Sequence, residues 1–220
     1  MTHLRITAGI SALALALPCA ARADRARSEI VFDVHAWKVV DRESGSVNYY
    51  KVVDDPTTPY IHSAYRPPME TVVLGYELPD EVRERARRLR WTWRAQVLPK
   101  GGKGCGNSPD AAATVYVTWK RGLRWYTLKY VWSTAVPKGS VCDNKRNVFV
   151  AQDAIVAESG GPTNVWVTEE IDLKKEFRRQ FEDGDPDADV PDFKGVAIMT
   201  DGDQTGTESS ADFGTFVIFE

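Results

Sequence analysis

Leu89-Arg-Trp-Thr-Trp-Arg-Ala-Gln-Val97 decides the fold class. Leu89, Trp91, Trp93, Ala95 and Val97 alternate strictly with Arg90, Thr92, Arg94 and Gln96, which is the period of a half-buried β-strand and not that of a helix. One face is core, and the other meets solvent or a ligand. Downstream, Thr114 to Trp119 and Leu123 to Trp132 read as a hairpin around Lys120-Arg-Gly122, and the second strand carries Tyr126, Leu128, Tyr130 and Trp132 on one face.

Working outward, Glu29 to Val40, Asn48 to Val53, Tyr60 to Ala64 and Met69 to Leu78 are rich in β-branched and aromatic residues and predict further strands. Asp41-Arg-Glu-Ser-Gly-Ser has hairpin character, and Arg66-Pro-Pro breaks the next pair, because proline cannot sit inside a central strand. Val148 to Val156 and Asn164 to Val167 add two strands around Gly160-Gly-Pro. Two short helices are expected. One starts at Pro79 with Asp80 near its N-cap; the other runs from Asp172 to Phe181, with Leu173, Phe177 and Phe181 on one stripe and Asp172 as cap. At the end of the chain, KGVAIMT and FGTFVIF flank a polar loop, Asp201 to Asp212. Many short strands with one or two short helices predict a mainly β protein, an antiparallel β-sandwich of jelly-roll type.

Met1 to Ala23 is expected to be a secretory signal peptide: Arg5, the apolar run Ile6 to Leu17, then Ala21-Arg22-Ala23 as a cleavage site. Residues 24–220 then form a single domain, periplasmic or secreted. Cys19 is the one position where a lipid anchor would attach, but Pro18 before it fits that processing poorly. Losing Arg5 and Arg22 leaves 26 of the 28 basic residues against 31 acidic ones, a formal charge of −5. That balance argues against nucleic acid as partner, and no later apolar run is long enough to span a membrane. The remaining cysteines, Cys105 and Cys142, lie in glycine-rich loops and are expected to pair.

The terminal loop carries the one spacing that suggests metal chemistry. Asp201, Asp203 and Thr205 stand at positions one, three and five of a twelve-position calcium loop, Gly206 at six, Ser209 at nine and Asp212 at twelve. The spacing leaves two readings open: a turn held by its own backbone bonds, since Asp, Thr and Gly are ordinary turn residues, or a loop that takes calcium as a structural cofactor. The loop Asp183 to Asp192 alternates acids in the same way without the turn glycine.

Trp91-Thr-Trp-Arg94, Tyr130-Val-Trp-Ser133, Asp172 to Phe181 and Gly195 to Gly206, above all Met199-Thr-Asp-Gly-Asp-Gln-Thr-Gly206, together resemble a family of secreted bacterial proteins, domain-of-unknown-function family 3047. The resemblance implies export and assigns no activity. It departs at Ala112, Ala113 and Thr114, where the family carries a basic residue. The strand, loop and closing strand are also similar to galactose-binding and concanavalin-like jelly rolls, an analogy of fold that does not fix function.

Three functions follow as expectations. The first is a non-catalytic sandwich binding a glycan or other cell-envelope ligand through Arg94, Tyr126 and Tyr130. The second is a glycoside hydrolase or lyase using two carboxylates among Glu169, Glu170 and Asp201. The third is a structural or assembly protein of the envelope without a small ligand. His35 and His62, the histidines beyond the leader, have no metal-ligand spacing, and no Gly-x-Ser-x-Gly elbow or phosphate loop is present.

Overall fold

A computed structural model describes residues 28–42 and 49–220. The leader, Cys19 and most of the Asp41 to Ser46 turn lie outside them. Thirteen strands are described: β1 (Glu29–Val31), β2 (Lys38–Arg42), β3 (Tyr50–Val53), β4 (Tyr60–Tyr65), β5 (Val72–Tyr76), β6 (Arg88–Val97), β7 (Ala113–Arg121), β8 (Arg124–Ser133), β9 (Val141–Arg146), β10 (Val150–Ser159), β11 (Val167–Asp172), β12 (Asp192–Met199) and β13 (Ser209–Phe219). Helix α1 (Asp80–Arg85) precedes β6, and α2 (Leu173–Phe181) follows β11.

The strands form two sheets. The first has the order β11-β6-β13-β4-β3, with β1 also on β13; the second has the order β2-β5-β12-β7-β8-β10-β9. All pairings are antiparallel except β8 with β10, which is parallel. Between the sheets lies the core, and the alternation of β6 places Leu89, Trp91, Trp93 and Ala95 wholly inside it. From the second sheet Val115, Val117 and Trp119 on β7 and Leu128, Tyr130 and Trp132 on β8 meet them. Trp91 packs on Tyr130 at 5.3 Å between ring centres and Trp93 on Trp132 at 5.6 Å. Such pairs each add about 0.5–1.5 kcal/mol beyond their burial.

Helix α2 closes one end. Asp172 caps it by accepting the Lys175 N–H at 2.9 Å, and Phe177 packs under Trp119 and Tyr126. Four expectations shift. Glu29 to Val40 is two strands in different sheets, because the Asp33 carboxylate accepts the His35 N–H and bends the chain into one 3-10 turn. β2 and β3 do not pair with each other but belong to opposite sheets. The strand expected from Asn164 begins at Val167, since Asn164 is left-handed (φ 63°) and its N–H bonds Ala95 O. Asp80 is the first helical residue of α1, with Pro79 at the cap position and no side-chain cap bond.

Candidate functional site

On β7 and β8 the residues opposite the core are Thr114, Tyr116 and Thr118, and Thr127, Lys129 and Val131, so they form the outward face of the second sheet. At one end that face is roofed over. Residues 101–112 fold across it, and Cys105, Ala111, Val131, Ala154 and Val156 make a small second core, with Val136 and Cys142 at its margin. Cys105 and Cys142 are disulfide-bonded, with Cα atoms 5.6 Å apart. Gly104, with φ 70°, lies so close to Val131 that an added Cβ would stand 2.8 Å from its Cγ2. Only glycine fits there.

The roof leaves a cavity of about 410 Å³ against the open part of the face. Tyr116, Lys129, Thr71, Lys145, Gln204 and Asp201 supply most of its polar lining. The Tyr116 hydroxyl donates to Met199 Sδ at 3.2 Å, and Lys129 Nζ lies 5.4 Å from the Tyr116 ring centre. This volume is in the range of small-ligand pockets.

Behind the cavity sits an acidic corner. Asp110, wholly buried in the roof segment, accepts the backbone N–H groups of Thr205 at 2.7 Å and Gln204 at 3.3 Å. Asp201 Oδ1 accepts from Thr71 Oγ1 at 3.2 Å and from the Asp203 N–H at 3.3 Å. One oxygen from each of Asp110, Asp201 and Asp203 lies within 4.8 Å of the others. Burial, then the Asp203 carboxyl and the charge of Asp110, push Asp201 up to about 7. Asp203 keeps one buried oxygen, Oδ1, with no hydrogen-bond partner among the described residues.

This arrangement corrects the twelve-position loop. Asp201 and Asp203 do converge, but Thr205 Oγ1 is engaged inside the turn with Thr207 Oγ1 at 2.8 Å and Gly202 O. Ser209 and Asp212 belong to strand β13. Asp212 points to the outward face of the first sheet, where Arg94 Nε (2.6 Å), Gln96 Nε2 (2.5 Å) and His62 Nδ1 (2.7 Å) hold its carboxylate. The third carboxylate of the corner, Asp110, comes from 91 residues upstream of Asp201, and no local spacing signals it. In the Asp183 to Asp192 loop, Asp185 accepts the Asp187 N–H, while Arg178 and Arg121 bond the carbonyls of Ala188 and Asp189.

Tyr126 and Tyr130, expected on an exposed face, are only 6% and 4% exposed. They share the inward face of β8 with Leu128 and Trp132, so the period that groups them also buries them. Tyr130 donates to Glu176 Oε2 at 3.1 Å, and burial holds its hydroxyl well above the usual tyrosine value. Glu169 and Glu170 are consecutive on β11 and face opposite ways. Glu170 Oε2 accepts from Arg90 Nε at 2.8 Å and its other oxygen pairs with Arg88, whereas Glu169 lies by Lys138 and Glu158 and is pushed up to about 7, chiefly by burial. They do not present a common pair to one ligand. Arg94 is as expected on the outward face, and Trp166 and Tyr60 join it there.

A two-sheet sandwich with a disulfide-pinned roof over a polar cavity defines the class: a β-sandwich protein with a walled cavity on one sheet face. The chain belongs to the family described as "Protein of unknown function (DUF3047)", whose profile matches residues 36–217. No curated protein matches the sequence. Among solved structures, the family 11 carbohydrate-binding module of Clostridium thermocellum, in complex with a β-1,3-1,4-mixed-linked tetrasaccharide, is similar with a TM-score of 0.45 and 11% identity over 86% of this chain and 94% of its own. Endoglucanase 3 of Trichoderma harzianum, from family GH12, is similar with a TM-score of 0.42 and 9% identity over 90% and 100%.

Proposed function

We propose that this protein is an exported, non-catalytic glycan-binding sandwich whose ligand lies in the cavity on the outward face of the second sheet. The observation that carries this reading is the lining itself. A sugar offers hydroxyls that both donate and accept, and an apolar ring face; the cavity offers ammonium donors from Lys129 and Lys145, the Thr71 hydroxyl and Gln204 amide, and an aromatic ring at Tyr116. The Cys105 to Cys142 disulfide supports an oxidising compartment, periplasmic or extracellular. The test is calorimetric titration of a panel of neutral cell-envelope and plant oligosaccharides into the protein and its Tyr116→Ala and Lys145→Ala variants. Binding weakened about tenfold in each variant supports the reading; no binding across the panel overturns it.

Two finer readings concern the acidic corner. For a structural calcium ion, Asp110, Asp201 and Asp203 replace the loop set read from sequence, and their hard oxygen donors fit that class of ion. Both Asp110 oxygens already accept backbone N–H groups, so water would complete the coordination. For hydrolysis, Asp201 is the cavity acid that holds a proton near neutral pH, as a general acid requires. Release of reducing sugar by the wild type and not by Asp201→Asn would favour that reading over simple binding.

A further inference from the structure

The outward face of the first sheet carries a second constellation, built around Asp212. Its carboxylate is wholly buried, and three donors use both oxygens: Arg94 Nε and Gln96 Nε2 on Oδ2, His62 Nδ1 on Oδ1. The donors come from β6 and β4, the two strands that flank β13, and the register sets Arg94, Asp212 and His62 in one row. Lys51 on β3 extends the row beyond His62. Asp212 therefore fixes the arginine by its Nε edge. The Nη1 and Nη2 groups form no hydrogen bond among the described residues, and the side chain remains 22% exposed.

Two aromatic rings frame that open fork. The guanidinium carbon lies 4.6 Å from the Trp166 ring centre and 5.4 Å from that of Tyr60, and the two rings meet edge to face at 5.6 Å. Trp166 is 39% exposed, a large apolar surface that nothing covers fully. Its seat depends on Gly214, where an added Cβ would stand 3.0 Å from the indole Cζ3 and 2.4 Å from Thr92 Oγ1. Asp55 also feels the Arg94 charge, but its Oδ1 already accepts the N–H groups of Thr57 and Thr58.

A planar pair of unbonded N–H donors, held rigid and flanked by exposed indole, matches a carboxylate attached to a ring with an apolar face. We propose that this face is a second glycan site, selective for uronic-acid residues: the sugar carboxylate bridges Arg94 Nη1 and Nη2, and the pyranose ring packs on Trp166. This site is separate from the cavity, because the two lie on the outward faces of different sheets.

Titration of a galacturonate oligosaccharide, a sulfated oligosaccharide and a neutral galactose oligosaccharide of equal length into the full chain tests it. The galacturonate is expected to bind at least about tenfold more tightly than the neutral chain, and more weakly as salt rises. Arg94→Lys keeps the charge and the Asp212 ion pair but loses the fork, so it should weaken galacturonate binding about tenfold or more; Trp166→Ala, a surface change that leaves the ion network intact, should do the same. Leu123→Ala, an exposed turn residue outside both sites, should leave it unchanged. Equal affinity for galacturonate and neutral chains, tighter binding of the sulfated chain, no galacturonate binding, or loss of binding in Tyr116→Ala with Trp166→Ala unaffected would each overturn the proposal.

Discussion

Replacing both half-cystines, Cys105→Ser with Cys142→Ser, releases the roof of the cavity from the second sheet. The bond closes a loop with a sequence separation of 37. The chain-entropy relation for a loop of that length gives about 4 kcal/mol at 25 °C. For a domain of this size each kcal/mol moves the thermal midpoint by about 2–4 °C, so the double variant should melt about 8–16 °C lower. Circular dichroism melts of both proteins, repeated with reductant, measure the shift, and reductant should lower the wild type alone. Because Gly104 and Ala111 of the roof pack on Val131 of the sheet beneath, ligand affinity at 25 °C should fall as well. A double variant with the wild-type midpoint to within about 2 °C would refute the claim that the bond holds the roof in place.

Three further outcomes are expected. Asp201 is pushed up to about 7 from an ordinary value of 3.8, so the folded state binds its proton more tightly than the unfolded chain; its contribution to stability is fullest below pH 4 and is lost as pH rises towards 7. Denaturant unfolding from pH 4 to pH 8 should show a larger loss in the wild type than in Asp201→Asn, where Glu169, also raised to about 7, keeps its share, and equal profiles would rule it out. If calcium occupies the corner, chelator should lower the wild-type midpoint at pH 8 and calcium should restore it, with no response in Asp201→Ala; saturation at a hundredfold excess over Kd corresponds to about 2.7 kcal/mol. Phe177→Ala empties the contact of α2 with Trp119 and Tyr126 and should cost about 3–5 kcal/mol in urea unfolding; a loss below about 1 kcal/mol would mean that the helix does not seal the core.

The sandwich was legible where one face of a strand is buried and the other wet. Leu89 to Ala95, the β7–β8 hairpin and the Leu173, Phe177, Phe181 stripe all lie where periodicity places them, while Val97, expected on the same core face, is exposed at the end of β6, beyond a shift in its register with β13. The same logic misled at Tyr126 and Tyr130, because aromatic residues on a strand look alike whether they line a core or a site. Their partners on the opposite face, Tyr116 and Lys129, are the ones that reach the cavity. Local spacing also cannot separate a ligand loop from a loop that runs into a strand: Asp212 continues the acidic rhythm of Asp201 and Asp203, yet β13 has begun by then and turns it to the other sheet. Asp110 was invisible because only the folded roof brings it beside Asp201.

The most direct test is an amide chemical-shift map of the protein titrated with the tightest neutral oligosaccharide found in the calorimetric panel. The largest shifts should fall on Tyr116, Lys129 and Gln204 and their neighbours around the cavity, and Tyr116→Ala should need about tenfold more sugar to reach half-saturation. Saturable shifts confined to other surfaces, or none at millimolar sugar, would contradict a glycan site on this face.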